Sequence, residues 1–89
     1  MYLVRFDWDA NNRKKIAAHG VNSDEFEQAF AGRRVADQKI VGLERRKFAV
    51  GQTEAGRILA MVYTMRAGKV RPITAYESRK ARGQWPPKP

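Results

Sequence analysis

The chain has 89 residues, 43% of them apolar, which suits one domain around a single small core. It has no cysteine and a single histidine, His19, so disulfides, a cysteine nucleophile and thiolate or multi-histidine metal centres are excluded. The net charge is +9 and is unevenly spread: through Glu44 seven Lys/Arg balance seven Asp/Glu, whereas from Arg45 onward eleven Lys/Arg face only Glu54 and Glu77. A field of one sign on one half of a small protein calls for a polyanionic partner, and nucleic acid is the expected one.

Tyr2 to Phe6 alternates in the manner of a short first strand. Asp9 is placed to cap a helix from Ala10 to about His19, with Gly20 supplying the left-handed residue that ends it. A second helix follows, capped by Asn22 with Glu25 three residues on as a capping box, and with Val21 and Phe26 as a hydrophobic staple. Phe26, Ala29 and Phe30 share its core face, and Gly32 stops it.

From Arg33 the period changes to that of strands. Val35 to Val41 reads as an edge strand, Gly42 to Arg45 as a turn, and Lys47 to Gly51 as a strand with Phe48 and Val50 on one face. Gln52 to Gly56 is a polar loop, and Ile58 to Met65 is apolar on both faces, as a central strand should be. Ala67-Gly68 forms a tight turn into Val70 to Tyr76, and Pro72 puts that last strand at an edge or makes its start irregular. On strand alternation Arg71 shares a face with Ile73 and Ala75. The expected fold is α+β: two N-terminal helices packed on a four- to five-stranded, mainly antiparallel sheet. Residues 1–79 form the domain, and 80–89, basic and broken by Gly83, Pro86, Pro87 and Pro89, a flexible tail.

Several stretches in this order resemble the BrnT family of toxins. They are Phe6-Asp7-Trp8-Asp9, Lys15-Ile16-Ala17-Ala18-His19-Gly20-Val21, Phe26 to Phe30, Gly56-Arg57-Ile58-Leu59, Val62-Tyr63-Thr64-Met65-Arg66 and Arg71-Pro72-Ile73-Thr74-Ala75. After Ala75 the chain departs from the family pattern, and the closing helix is expected to be short or missing. The resemblance implies a RelE-like fold, a ribonuclease toxin that inhibits translation and growth, and a cognate BrnA-like ribbon-helix-helix antitoxin through which any DNA contact would be indirect. No run approaches the roughly 18 apolar residues of a membrane span, and Met1 to Asp7 lacks a signal peptide's basic and apolar regions. A cytoplasmic protein without membrane contact is expected.

RNA cutting without a metal uses the substrate's 2′-hydroxyl as nucleophile, so the protein must handle protons and stabilise charge on the phosphate. The basic half lacks the paired carboxylates of a two-metal nuclease, so no metal or cofactor is expected. Arg57 and Arg71 are the candidate catalytic phosphate ligands, since a guanidinium holds two phosphate oxygens in a fixed plane. Tyr63 is a candidate proton donor or stacking platform, and His19 the candidate acid or base, histidine being the residue type that titrates near neutrality. Arg66, Lys69, Arg79 and Tyr76 are candidate RNA contacts. The enzymatic reading expects the guanidiniums of the later strands to gather in one pocket. The competing readings are a non-catalytic nucleic-acid-binding module and a protein-interaction domain with a basic surface.

Overall fold

The structure is a computed structural model that describes residues 4–41 and 44–78, with the backbone alone for 34–41. Helices α1 (Ala10–Ala17) and α2 (Ser23–Ala31) precede strands β1 (Arg34–Val41), β2 (Glu44–Gln52), β3 (Ile58–Arg66) and β4 (Lys69–Glu77). The strands form an antiparallel meander in the order β1-β2-β3-β4. The architecture is α+β, with both helices on one face of the sheet, as expected.

The helix starts are set by reciprocal hydrogen bonds. Asp9 Oδ1 accepts from the Asn12 amide at 2.9 Å while Asn12 Oδ1 accepts from the Asp9 amide at 2.8 Å. Asn22 and Glu25 repeat this capping box at α2. Helix α1 ends two residues before His19. The Gly20 amide bonds back to Ala17 and that of Val21 to Ile16, a Schellman motif around Gly20 at φ +73°.

Where a first strand was expected, the described residues show an isolated parallel bridge between Phe6 and Val70. The Val70 amide donates to Arg5 and the Asp7 amide to Val70, both at 2.8 Å, so the N-terminal segment lines the outer edge of β4 only at its start. The pairing stops before Pro72, which has no amide to offer. One residue later the register of β4 against β3 shifts, Thr74 facing Val62 and Pro72 facing Tyr63, with Ile73 as the extra residue. The bulge corrects the expected facing of Arg71. Val70 and Ala75 lie in the core, whereas Arg71 pairs with Thr64 on the other face. The Ala67-Gly68 hairpin has both residues in the left-handed region, at φ 52° and 76°, the two-residue turn whose twist suits adjoining strands.

Ile16, Val21, Phe26, Ala29 and Phe30 from the helical half pack on Ala49, Leu59, Met61, Tyr63, Val70 and Ala75 from alternate strand positions. Phe6 and Trp8 close this core edge-on to Phe26, and Phe30 meets Tyr63 edge to face at 4.9 Å. Helix α2 sits directly on β2 at Gly51, where a Cβ would lie 1.9 Å from the Ala29 carbonyl oxygen. Ile58, Val62 and Thr64 on the other face of β3 are buried as well, which meets the expectation of a strand covered on both sides. Of the turn expected from Gly42 to Arg45, Glu44 and Arg45 instead open β2, paired with Val41 and Ile40, while Gly42, Leu43, the C-terminal tail and the closing helix lie outside the described residues. Among the described residues no helix is long and apolar enough to cross a membrane.

Candidate nucleic-acid interface

Helix α1 runs beside β4 in the same direction, and an arginine fastens each end. At the leading end Arg71 Nη2 lies 2.5 Å from Asp9 Oδ2 and Nη1 lies 3.2 Å from Asp7 Oδ2. At the trailing end Arg57 Nη1 donates to Glu25 Oε2 at 2.5 Å and to the Gly20 carbonyl at 3.0 Å, and Nε donates to Glu77 Oε2 at 3.2 Å. Glu25 thus serves two purposes, one oxygen capping α2 and the other holding Arg57. The Asn12 amide, and then Arg71, hold the Asp9 carboxyl below its ordinary value. The carboxylates in turn raise both guanidiniums, chiefly Glu25 for Arg57 and Asp9 for Arg71.

Arg57 and Arg71 therefore do not gather in one pocket. They stand near opposite ends of β4, roughly 20 Å apart at about 3.3 Å per strand residue. Both side chains are largely withdrawn from solvent, 28% and 24% exposed, and each is already engaged by two carboxylates.

Between these fastenings lies a cleft of about 570 Å³. Asn11, Lys14 and Lys15 of α1 and its C-cap Ala18 form one wall, and Arg46, Arg71, Pro72 and Ile73 of the sheet the other, with Glu44 the one carboxylate among its lining residues. Lys14 and Lys15 project from α1 into solvent. Arg46 is 3.7 Å from Glu44, and its Nε–H is buried without an acceptor among the described residues. A buried donor left this way costs about 1–3 kcal/mol unless a ligand or water accepts from it. His19, the residue after Ala18, is exposed in the turn after α1 and does not line the cleft; its ring is 6.0 Å from that of Tyr76. Tyr76 is 41% exposed.

The other sequence candidates lie elsewhere. Tyr63 is buried at 3% exposure on the helix side of the sheet, against Phe30. Arg66 and Lys69 flank the Ala67-Gly68 turn and are exposed. Arg79 lies outside the described residues. Sequence reasoning missed Lys14, Lys15 and Arg46. The Arg13-Lys14-Lys15 run on a helix was a visible signal, but a charge balance taken by halves concealed it. No three His, Cys, Asp or Glu side chains among the described residues gather as a metal-holding set.

Comparison with known proteins agrees with this architecture. A crystal structure of the ribonuclease toxin BrnT from Brucella abortus superposes with a TM-score of 0.65 at 24% identity, covering 85% of this chain and 97% of that one. A comparison with curated protein sequences gave no significant match. The family model described as "Ribonuclease toxin, BrnT, of type II toxin-antitoxin system" matches residues 8–81. With that match spanning nearly all of the helices and the sheet, the chain belongs to the BrnT family of ribonuclease toxins of type II toxin-antitoxin systems.

Proposed function

We propose that this protein cleaves RNA along the α1–β4 edge without a metal ion and that a cognate antitoxin silences it by covering that edge. The convergence of Lys14, Lys15, Arg46 and Arg71 on one cleft carries the reading. These side chains come from three separate elements, so sequence proximity alone does not explain their meeting. Arg46, whose side chain is 34% exposed, adds a guanidinium donor for a phosphate oxygen.

In the reaction the substrate's 2′-oxygen loses its proton and attacks the adjacent phosphorus, and the bond from phosphorus to the 5′-oxygen breaks. The products are a 2′,3′-cyclic phosphate and a 5′-hydroxyl. His19, in the turn after α1, takes the 2′ proton and later gives it up to solvent, a water protonates the departing 5′-oxygen, and Tyr76 beside His19 stacks a flanking base. The cations of the cleft stabilise the charge that builds up on the non-bridging oxygens. Arg66 and Lys69 extend the phosphate contacts to the hairpin. Arg57, engaged on two carboxylates and a carbonyl, acts as a positioning residue that holds the Gly20 turn, and so His19, against β4.

The test is cleavage of RNA by the purified chain in EDTA, with analysis of the product ends. Cyclic phosphate ends are expected, with a loss of about 100-fold or more in His19→Ala and a comparable loss in the Lys14→Gln/Lys15→Gln double variant. A requirement for added magnesium would sink the metal-free mechanism. A gel shift of RNA that stays intact would reduce the protein to a binding module.

A further inference from the structure

On the helix side of the sheet, past the end of α2, lies a second cavity of about 400 Å³ that the cleavage mechanism does not use. Its cations are Arg5 from the N-terminal segment, Arg33 after α2 and Lys47 of β2, and its lining residues include no carboxylate. Among the described residues none of the three has an acidic partner. Arg33 is fixed in place: its guanidinium lies 3.9 Å from the Phe30 ring centre, and Nη1 donates to the Phe30 carbonyl at 3.1 Å. One face of that guanidinium is covered by Phe30, which leaves the other for a flat group.

Tyr63 forms part of the floor: the residue is 3% exposed, and its phenol is the polar group it can offer to the cavity. Met65 and Val4, both 46% exposed, give the mouth an apolar rim.

We propose that this cavity binds a nucleotide unit of RNA outside the cleavage cleft, its phosphate between Arg5 and Lys47, its base on the free face of Arg33, and an acceptor on the Tyr63 hydroxyl. The assignment rests on the RNA-cleaving reading and extends it to a second contact point for the same strand. The chemistry favours a nucleotide over an acidic peptide because it combines a flat cationic platform with two further cations and an apolar rim. The route between the sites is short. Val70 lines this cavity and Arg71, the next residue, lines the cleavage cleft, with Lys69 preceding both in the chain.

The experiment titrates the full-length protein with adenosine 5′-monophosphate and with an uncleavable 2′-O-methyl oligonucleotide, following amide and tyrosine-ring NMR signals. Both probes are expected to shift Arg33, Lys47, Tyr63 and Gly68. The Arg5→Gln/Lys47→Gln variant should weaken oligonucleotide binding about tenfold and flatten its salt slope by about 0.7, the value for the one phosphate the two hold. Tyr63→Phe, which keeps the ring in the core, should weaken binding several-fold with unchanged thermal stability. Shifts confined to Lys14, Lys15 and His19, or no shifts, would overturn the proposal. So would shifts of the cavity by a Glu-rich peptide but not by the nucleotide, which would assign it to a protein partner. Because binding is read without turnover, a chain that cleaves no RNA but shows these shifts would defeat the catalytic reading and leave the site standing.

Discussion

Asp9 carries two duties at once, as the cap of α1 and as the carboxylate that holds Arg71. Its pKa is depressed in the folded chain, so its contribution is present above the ordinary carboxylate value of 3.8 and is lost as pH falls through the lower folded value. Thermal unfolding followed below about pH 4 should show stability falling with acidification, and Asp9→Asn should flatten that dependence. An unchanged pH profile in the variant would remove Asp9 from the acid response. Gly51 is constrained by space rather than by backbone angle, since the Ala29 carbonyl occupies the position of a side chain. Gly51→Ala should therefore lower stability by about 3 kcal/mol or prevent folding, because backbone on both sides of the clash must move. A melting temperature within a degree or so of the parent would contradict the direct seating of α2 on β2.

At the scale of elements, both helix starts were legible because capping is a local transaction. A side chain and an amide three residues away settle it with no help from the rest of the chain. Asn22→Ala should cost about 1 kcal/mol, read as a lower denaturant midpoint with an unchanged slope. The central place of β3 was legible too, from apolar residues on both its faces. The facing of Arg71 was not, because the extra residue Ile73 reverses the alternation between Arg71 and Ala75. A bulge depends on how two strands register, and a single strand's pattern does not contain that information. The isolated bridge at Phe6 has a similar cause. The segment pairs only as far as Pro72 permits, and a propensity reading of Tyr2 to Phe6 takes no account of its neighbour.

At the scale of the molecule, the charge is arranged differently from its order along the chain. Carboxylates of the neutral first half fold onto arginines of the basic second half, Asp7 and Asp9 onto Arg71 and Glu25 onto Arg57. That leaves Lys14 and Lys15, from the half that sums to zero, free to face the cleft. An RNA phosphate reaching Arg71 competes with Asp7 and Asp9 for the same guanidinium. The Asp7→Asn/Asp9→Asn variant, in which Asn keeps the cap, should bind uncleavable RNA more tightly at low salt. Its salt slope should steepen by about 0.7, because the released Arg71 neutralises one more phosphate. A slope identical to the parent's would show that Arg71 does not meet RNA.

The sequence by itself determined the two capped helices, the core face of α2, the hairpin at Ala67-Gly68 and the basic character that calls for a polyanion. Each follows from short-range geometry or from a sum over residues. Only the tertiary structure decided which cations remain available. Whether an arginine meets a phosphate or a carboxylate depends on side chains distant in sequence that packing brings within about 3 Å of it.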